Sequence, residues 1–86
     1  MASLLVKIFL SKDFELWKKS SSDLETVFND HSLDIVMNKK VMGQNSVLLV
    51  IEGSPDDLAL VFRSEALQKT LQMAGQGYIE NMTITE

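Results

Sequence analysis

The 86-residue sequence predicts an α+β fold with the element order βαββαβ, and three features carry the prediction. Two segments, Leu4–Leu10 and Val47–Ile51, are apolar at every position but Lys7, as strands covered on both faces are. Between them Phe14, Trp17, Leu24, Val27 and Phe28 recur at helical spacing. After them the run Ser54–Pro55–Asp56–Asp57 joins an N-cap, a proline at the first helical position and two first-turn acids, the strongest local signal in the chain.

Each element follows in order. Leu4–Leu10, with branched Val6 and Ile8 and aromatic Phe9, is the first strand. Ser11 is the expected cap of the first helix, with Asp13 and Glu15 placing negative charge on its first turn. That helix is expected to run to about Asn29, with Ser20–Ser21–Ser22 as a weak middle open to kinking because serine hydroxyls compete for the backbone. Leu33–Met42 alternates imperfectly, Leu33, Ile35, Met37 and Val41 sharing one parity, and reads as an edge strand. Gly43–Gln44–Asn45 supplies a turn into Ser46–Glu52, the central strand. The second helix continues through Leu58, Val61, Phe62, Leu67, Leu71 and Ala74, with Ser64 a candidate second cap and Gly75 and Gly77 closing it. Tyr78–Thr85 is the last strand, with Tyr78, Met82 and Ile84 on one parity, polar enough for an edge.

This order is the split βαβ, or ferredoxin-like, pattern: a four-stranded antiparallel sheet with two right-handed crossovers placing both helices on one face. The other face is left uncovered although the central strands are apolar on both. Leu5, Phe9 and one parity of the third strand then have nothing to pack against within the protomer. An apolar face of that kind implies a partner, and a second copy packed sheet to sheet about a two-fold axis is the simplest. Leu5 and Phe9 are the candidate interface residues.

Composition bounds the rest. Residues 1–86 are expected to form one domain, whose modest core favours association because no cysteine is present to supply a disulfide or a thiolate metal site. The net charge of −4 arises entirely in residues 44–86, where Arg63 and Lys69 face six acids. The only adjacent basic pairs are Lys18–Lys19 and Lys39–Lys40, short of the stripe that phosphate neutralisation requires, so no nucleic-acid partner is expected. The longest apolar runs are far below the roughly 20 residues that span a bilayer, and no signal-peptide pattern opens the chain. The expectation is a cytoplasmic protein with no membrane partner.

Leu4–Leu10, the Glu52–Gly53–Ser54–Pro55–Asp56 passage and the Phe62–Arg63–Ser64–Glu65 restart are similar to the dimeric α/β-barrel group of ferredoxin-like proteins, and the chain resembles its short marine and bacterial members without an assigned reaction. The resemblance implies a homodimer in which two sheets close into a barrel. It leaves activity open, since the group includes cofactor-free monooxygenases, heme-degrading monooxygenases and lactone isomerases. The heme-degrading members share an asparagine on the first strand and a histidine on the second helix. This chain has Lys7 on the first strand, no histidine on the second helix, and Trp17 on the first helix.

No phosphate loop, nucleophile elbow, catalytic carboxylate pair or zinc spacing is present, so neither a cofactor nor a metal is expected. His31, the only histidine, sits in the Asp30–His31–Ser32 turn and reads as a solvated loop residue. Lys7 is the notable polar residue, an ammonium in a central strand that must pair, with Glu52 or Glu80, or line a wet cavity where it can meet a ligand. Trp17 can wall a pocket between helix and sheet, and Asn38 and Tyr78 can add an amide and a hydroxyl. Lys7, Trp17, Asn38 and Tyr78 are therefore the candidate ligand-pocket residues. The functional expectation is a homodimer binding a small apolar or aromatic molecule in each protomer. The alternatives are a cofactor-independent monooxygenase or isomerase, and an association module without ligand.

Overall fold

A computed structural model describes residues 1–85. Four strands, β1 (Ala2–Leu10), β2 (Asp34–Lys40), β3 (Ser46–Gly53) and β4 (Gln76–Thr85), form one antiparallel sheet in the order β2-β3-β1-β4. Helix α1 (Phe14–Asp30) joins β1 to β2. A broken helical segment joins β3 to β4: α2 (Pro55–Ala59), a 3-10 turn (Leu60–Phe62) and α3 (Glu65–Met73). The fold is the ferredoxin-like βαββαβ sandwich the sequence predicts, with the most apolar strands at the centre and the more polar ones at the edges.

Alternation along β1 divides the sheet's two faces. Ala2, Leu4, Val6, Ile8 and Leu10 are buried under the helices, and Leu49 and Ile51 of β3 lie beside them. Trp17, Leu24 and Phe28 of α1, Leu58 of α2 and Leu67 and Leu71 of α3 close the same core. Ser3, Leu5, Lys7 and Phe9 point the other way, as do Leu48 and Val50 of β3, and all remain partly accessible. Leu5 is 39% exposed.

The helix ends follow the capping rules, with one correction. Ser54 and Ser64 accept from the backbone N–H groups of Asp57 and Leu67, so the second helical segment does restart at Ser64. At α1 the cap is Asp13, whose Oδ1 accepts from Leu16 N, not the expected Ser11. The Ser11 hydroxyl instead donates to the carbonyl of Gly75, tying the end of β1 to the end of α3. Helix α1 passes unbroken through its three serines; Ser21 returns its hydroxyl to the carbonyl of Trp17, which satisfies the group inside the helix.

Glycine does two different things after α3. Gly75 has φ +104°, the left-handed ending expected of it. Gly77 does not close the helix; it belongs to β4, where an added Cβ would stand 2.5 Å from the carbonyl oxygen of Phe9. It is required by close backbone approach, not by helix termination.

Two bulges correct the strand parities read from sequence. In β2 the register runs Ile35↔Ile51 and then Met37↔Val50, so Val36 is an extra residue. Ile35 faces the core while Met37 shares the open face with Val50, and Asn38, opposite Leu49, turns toward α1. In β4 the register passes from Lys7↔Asn81 to Ile8↔Ile79 around Glu80. Tyr78 therefore lies on the open face against Phe9, whereas Met82 and Ile84, opposite Val6 and Leu4, belong to the helix side. A period-two reading places Ile35 with Met37 and Tyr78 with Met82, and one inserted residue undoes each pairing.

Candidate functional site

The four candidate pocket residues separate into two pairs on opposite faces of the sheet. On the helix side, Trp17 is fully buried between α1 and the sheet. Its indole N–H donates to Asn38 Oδ1 at 2.9 Å, the Asn38 amide donates to Ser21 Oγ at 3.2 Å, and that hydroxyl donates to the Trp17 carbonyl at 3.1 Å. The circuit satisfies each group it contains and locks edge strand β2 to α1. In this protomer Trp17 and Asn38 are partners of one another, with no solvent access at the indole.

On the open face, Lys7 projects from the centre of β1 and its Nζ stands 3.7 Å from Glu80 Oε2. The side chains are 28% and 26% exposed, so the pair keeps contact with water and is worth at most about 1 kcal/mol. The same carboxylate oxygen accepts from Ser46 Oγ at 2.8 Å. Ser46 is buried and sits opposite Phe9 in the register. The Phe9 and Tyr78 rings stack beside this polar centre with centroids 5.0 Å apart and planes 17° from parallel. A cation, an anion, a hydroxyl and a stacked aromatic pair thus converge on a face that Leu5, Leu48 and Val50 make apolar at its middle and that Ser3, Asn81, Thr83 and Thr85 make polar toward the β4 edge.

Glu80 faces Lys7 because the β4 bulge holds it there, and the sequence offers it as one of two partners for Lys7. Ser46 was legible only as the start of the central strand. Its position opposite Phe9 in the β1–β3 register places it at this centre, a pairing between strands distant in sequence that no local pattern signals.

His31 is not a freely solvated loop residue: its Nδ1 lies 2.9 Å from the carbonyl of Val27, one turn back in α1. The ring closes the helix end, and Ser32 beyond it turns the chain with φ +61°. Among the described residues no group of three His, Cys, Asp or Glu side chains stands close enough to hold a metal ion. No helix among them is long and apolar enough to cross a membrane.

A shallow cleft of about 200 Å³ lies between α1 and α3, lined by Ser20, Asp23, Val27, Thr70, Met73 and Ala74. It is smaller than the roughly 300 Å³ at which small-molecule sites begin, and none of the candidate residues lines it.

These features define a ferredoxin-like α+β sandwich with a covered helix side and an open sheet face carrying a polar centre. Comparison with solved structures finds the same fold in other proteins. A candidate antibiotic biosynthesis monooxygenase from Nitrosomonas europaea superposes with a TM-score of 0.68 at 8% identity, over 100% of this chain and 97% of that one. A protein of Agrobacterium tumefaciens gives 0.68 at 13% identity, covering 100% and 92%. A second candidate antibiotic biosynthesis monooxygenase, from Chloroflexus aurantiacus, gives 0.62 at 8% identity, covering 98% and 89%. No family model matches the sequence, and no curated protein matches it. At such identities the likeness is one of fold.

Proposed function

We propose that this protein works as a two-fold homodimer that closes its open sheet face on a second copy, with the polar centre of each face binding a small apolar or aromatic molecule. One observation carries the reading: the central strands present Leu5, Phe9, Leu48 and Val50 on the side that no helix covers. Burying such a face is the driving force for association at about 25 cal/mol per Å² of apolar surface. A two-fold axis lets the same patch serve both copies. Lys7 and Glu80, side by side within that face, supply one donor and one acceptor of opposite charge, and the exposed side of Tyr78 offers a ring on which a planar molecule can stack.

The test is the solution mass by light scattering over a dilution series, with Phe9→Asp as the variant. A dimer that Phe9→Asp dissociates supports the reading, and a monomer indifferent to the change overturns it. A panel of planar aromatic molecules, with and without a carboxylate, is then titrated by thermal shift against the wild type and Lys7→Met. Stabilisation that Lys7→Met removes supports the ligand site. A dimer that no member of the panel stabilises leaves an association module.

The alternative, a cofactor-independent monooxygenase or isomerase, draws on the descriptions of two structural neighbours. It requires oxygen uptake, or isomerisation, with an activated aromatic or lactone substrate and no added metal. The reciprocal bonding of Trp17 and Asn38 disfavours it, because those side chains are engaged with each other and not with a cavity.

A further inference from the structure

Folding sorts charges that the sequence mixes. Residues 1–43 carry six lysines and six acids, interleaved along the chain. In the fold, six of the seven lysines gather toward one end of the sheet, where β1 and β2 finish and β3 and β4 begin. Lys7 and Lys12 lie in and just after the second half of β1, and Lys39 and Lys40 close β2. Lys18 and Lys19 fall in the first two turns of α1, which starts at the same end. The acids of that half are Asp13, Glu15 and Glu80, of which Asp13 caps α1 and Glu80 is engaged by Lys7 and Ser46. The opposite end carries Asp30, Asp34, Glu52, Asp56 and Asp57, with no lysine or arginine in residues 20–38 or 41–62.

The basic end finishes in an apolar point. The β2–β3 hairpin turns through Met42, which is 95% exposed, and Gly43 at φ +77°, and no acid occurs from Ile35 to Ile51. The Asn45 amide donates to the carbonyl of Lys12 at 2.8 Å and to that of Leu10 at 3.2 Å, so the hairpin and the loop holding Lys12 form one unit. We infer that this end docks on the surface of an anionic lipid bilayer, with Lys12 and Lys40 against the headgroups and Met42 entering the headgroup layer. Each lysine near such a surface strengthens binding, and an apolar side chain ahead of the lysines adds burial. A nucleic acid would draw on the charge but leave Met42 unused, and the hairpin has no aromatic ring on which a base could stack. The same surface repels the five carboxylates of the far end, which orients the molecule. Lys40 lies opposite Val47 on the helix side of the sheet, and Lys12 and Met42 lie in loops beyond the ladder. The docking end is therefore separate from the sheet face of the proposed homodimer.

The test is co-sedimentation with phosphatidylcholine vesicles, made with and without about one-third phosphatidylserine. The chain is expected to bind the anionic vesicles at low ionic strength, to leave them at about 0.5 M salt, and to ignore the neutral ones. Lys12→Gln combined with Lys40→Gln should weaken binding about tenfold or more, and Met42→Ser should weaken it severalfold. All three side chains are exposed, so the variants are expected to fold, which circular dichroism checks. Because the chain has no cysteine, a fluorophore on Gln44→Cys reports the hairpin and one on Asp56→Cys reports the opposite end. On anionic vesicles the first should be shielded from an aqueous quencher and the second should not. Absence of binding to anionic vesicles at low salt overturns the inference, including where a single-stranded oligonucleotide is bound instead. Binding that either variant leaves unchanged, or equal shielding of the two labels, also overturns it.

Discussion

Asn38 shows how much one side chain can carry at the residue scale. Its carboxamide accepts from the Trp17 indole and donates to Ser21, so replacing it with leucine leaves a buried N–H without an acceptor. Asn38→Leu is expected to cost about 1–3 kcal/mol in a urea titration. Combining it with Trp17→Phe should cost clearly less than the sum of the two single changes, and a fully additive cycle would remove the network as a structural restraint. Gly77 is a second such position. A methyl group there meets the Phe9 carbonyl, so Gly77→Ala should lower stability by about 1–3 kcal/mol, read from the same titration. The sequence marks both residues without revealing their roles. Asn38 reads as a pocket amide and Gly77 as a helix stop, because spacing along the chain carries no information about what lies across the sheet.

Among the elements, the helix starts were the most legible, because capping is a matter of a few consecutive residues. Ser54 and Ser64 each accept from the N–H three residues on, and Ser54→Ala or Ser64→Ala should each cost about 1 kcal/mol. Ser11→Ala should not act through α1, since Asp13 holds that cap, and Asp13→Ala should cost the roughly 1 kcal/mol instead. Thermal melts of the four variants check the assignment. The strands were legible in position but not in facing. Val36 is an extra residue within the ladder, so its deletion keeps Ile35, Met37 and Asn38 on the faces they now occupy. That variant is expected to fold and to retain the Trp17 environment seen in its fluorescence, while losing the edge distortion that discourages strand addition.

Across the whole molecule, the decisive feature is the imbalance between a core closed on one side of the sheet and an apolar face open on the other. In the proposed homodimer folding is coupled to association, which makes stability depend on protein concentration because only the native chain presents the paired surface. The melting temperature of the wild type should therefore rise with concentration over the micromolar range, and that of Phe9→Asp should not. A wild-type melting temperature independent of concentration would argue that the open face is tolerated in a monomer.

The sequence by itself determined the order of elements, the centrality of β1 and β3, the helix caps at Ser54 and Ser64 and the uncovered face with Leu5 and Phe9. Each of these rests on hydrophobic periodicity or on contacts between residues close along the chain. Tertiary structure alone decided that Trp17 and Asn38 bind each other behind the sheet while Tyr78 lies in front of it, on the side of Lys7. It also decided that Glu80 and Ser46 complete the polar centre. The physical reason is the bulge: one residue inserted into a ladder reverses the facing of every residue beyond it, and no local pattern in β2 or β4 announces where that insertion falls.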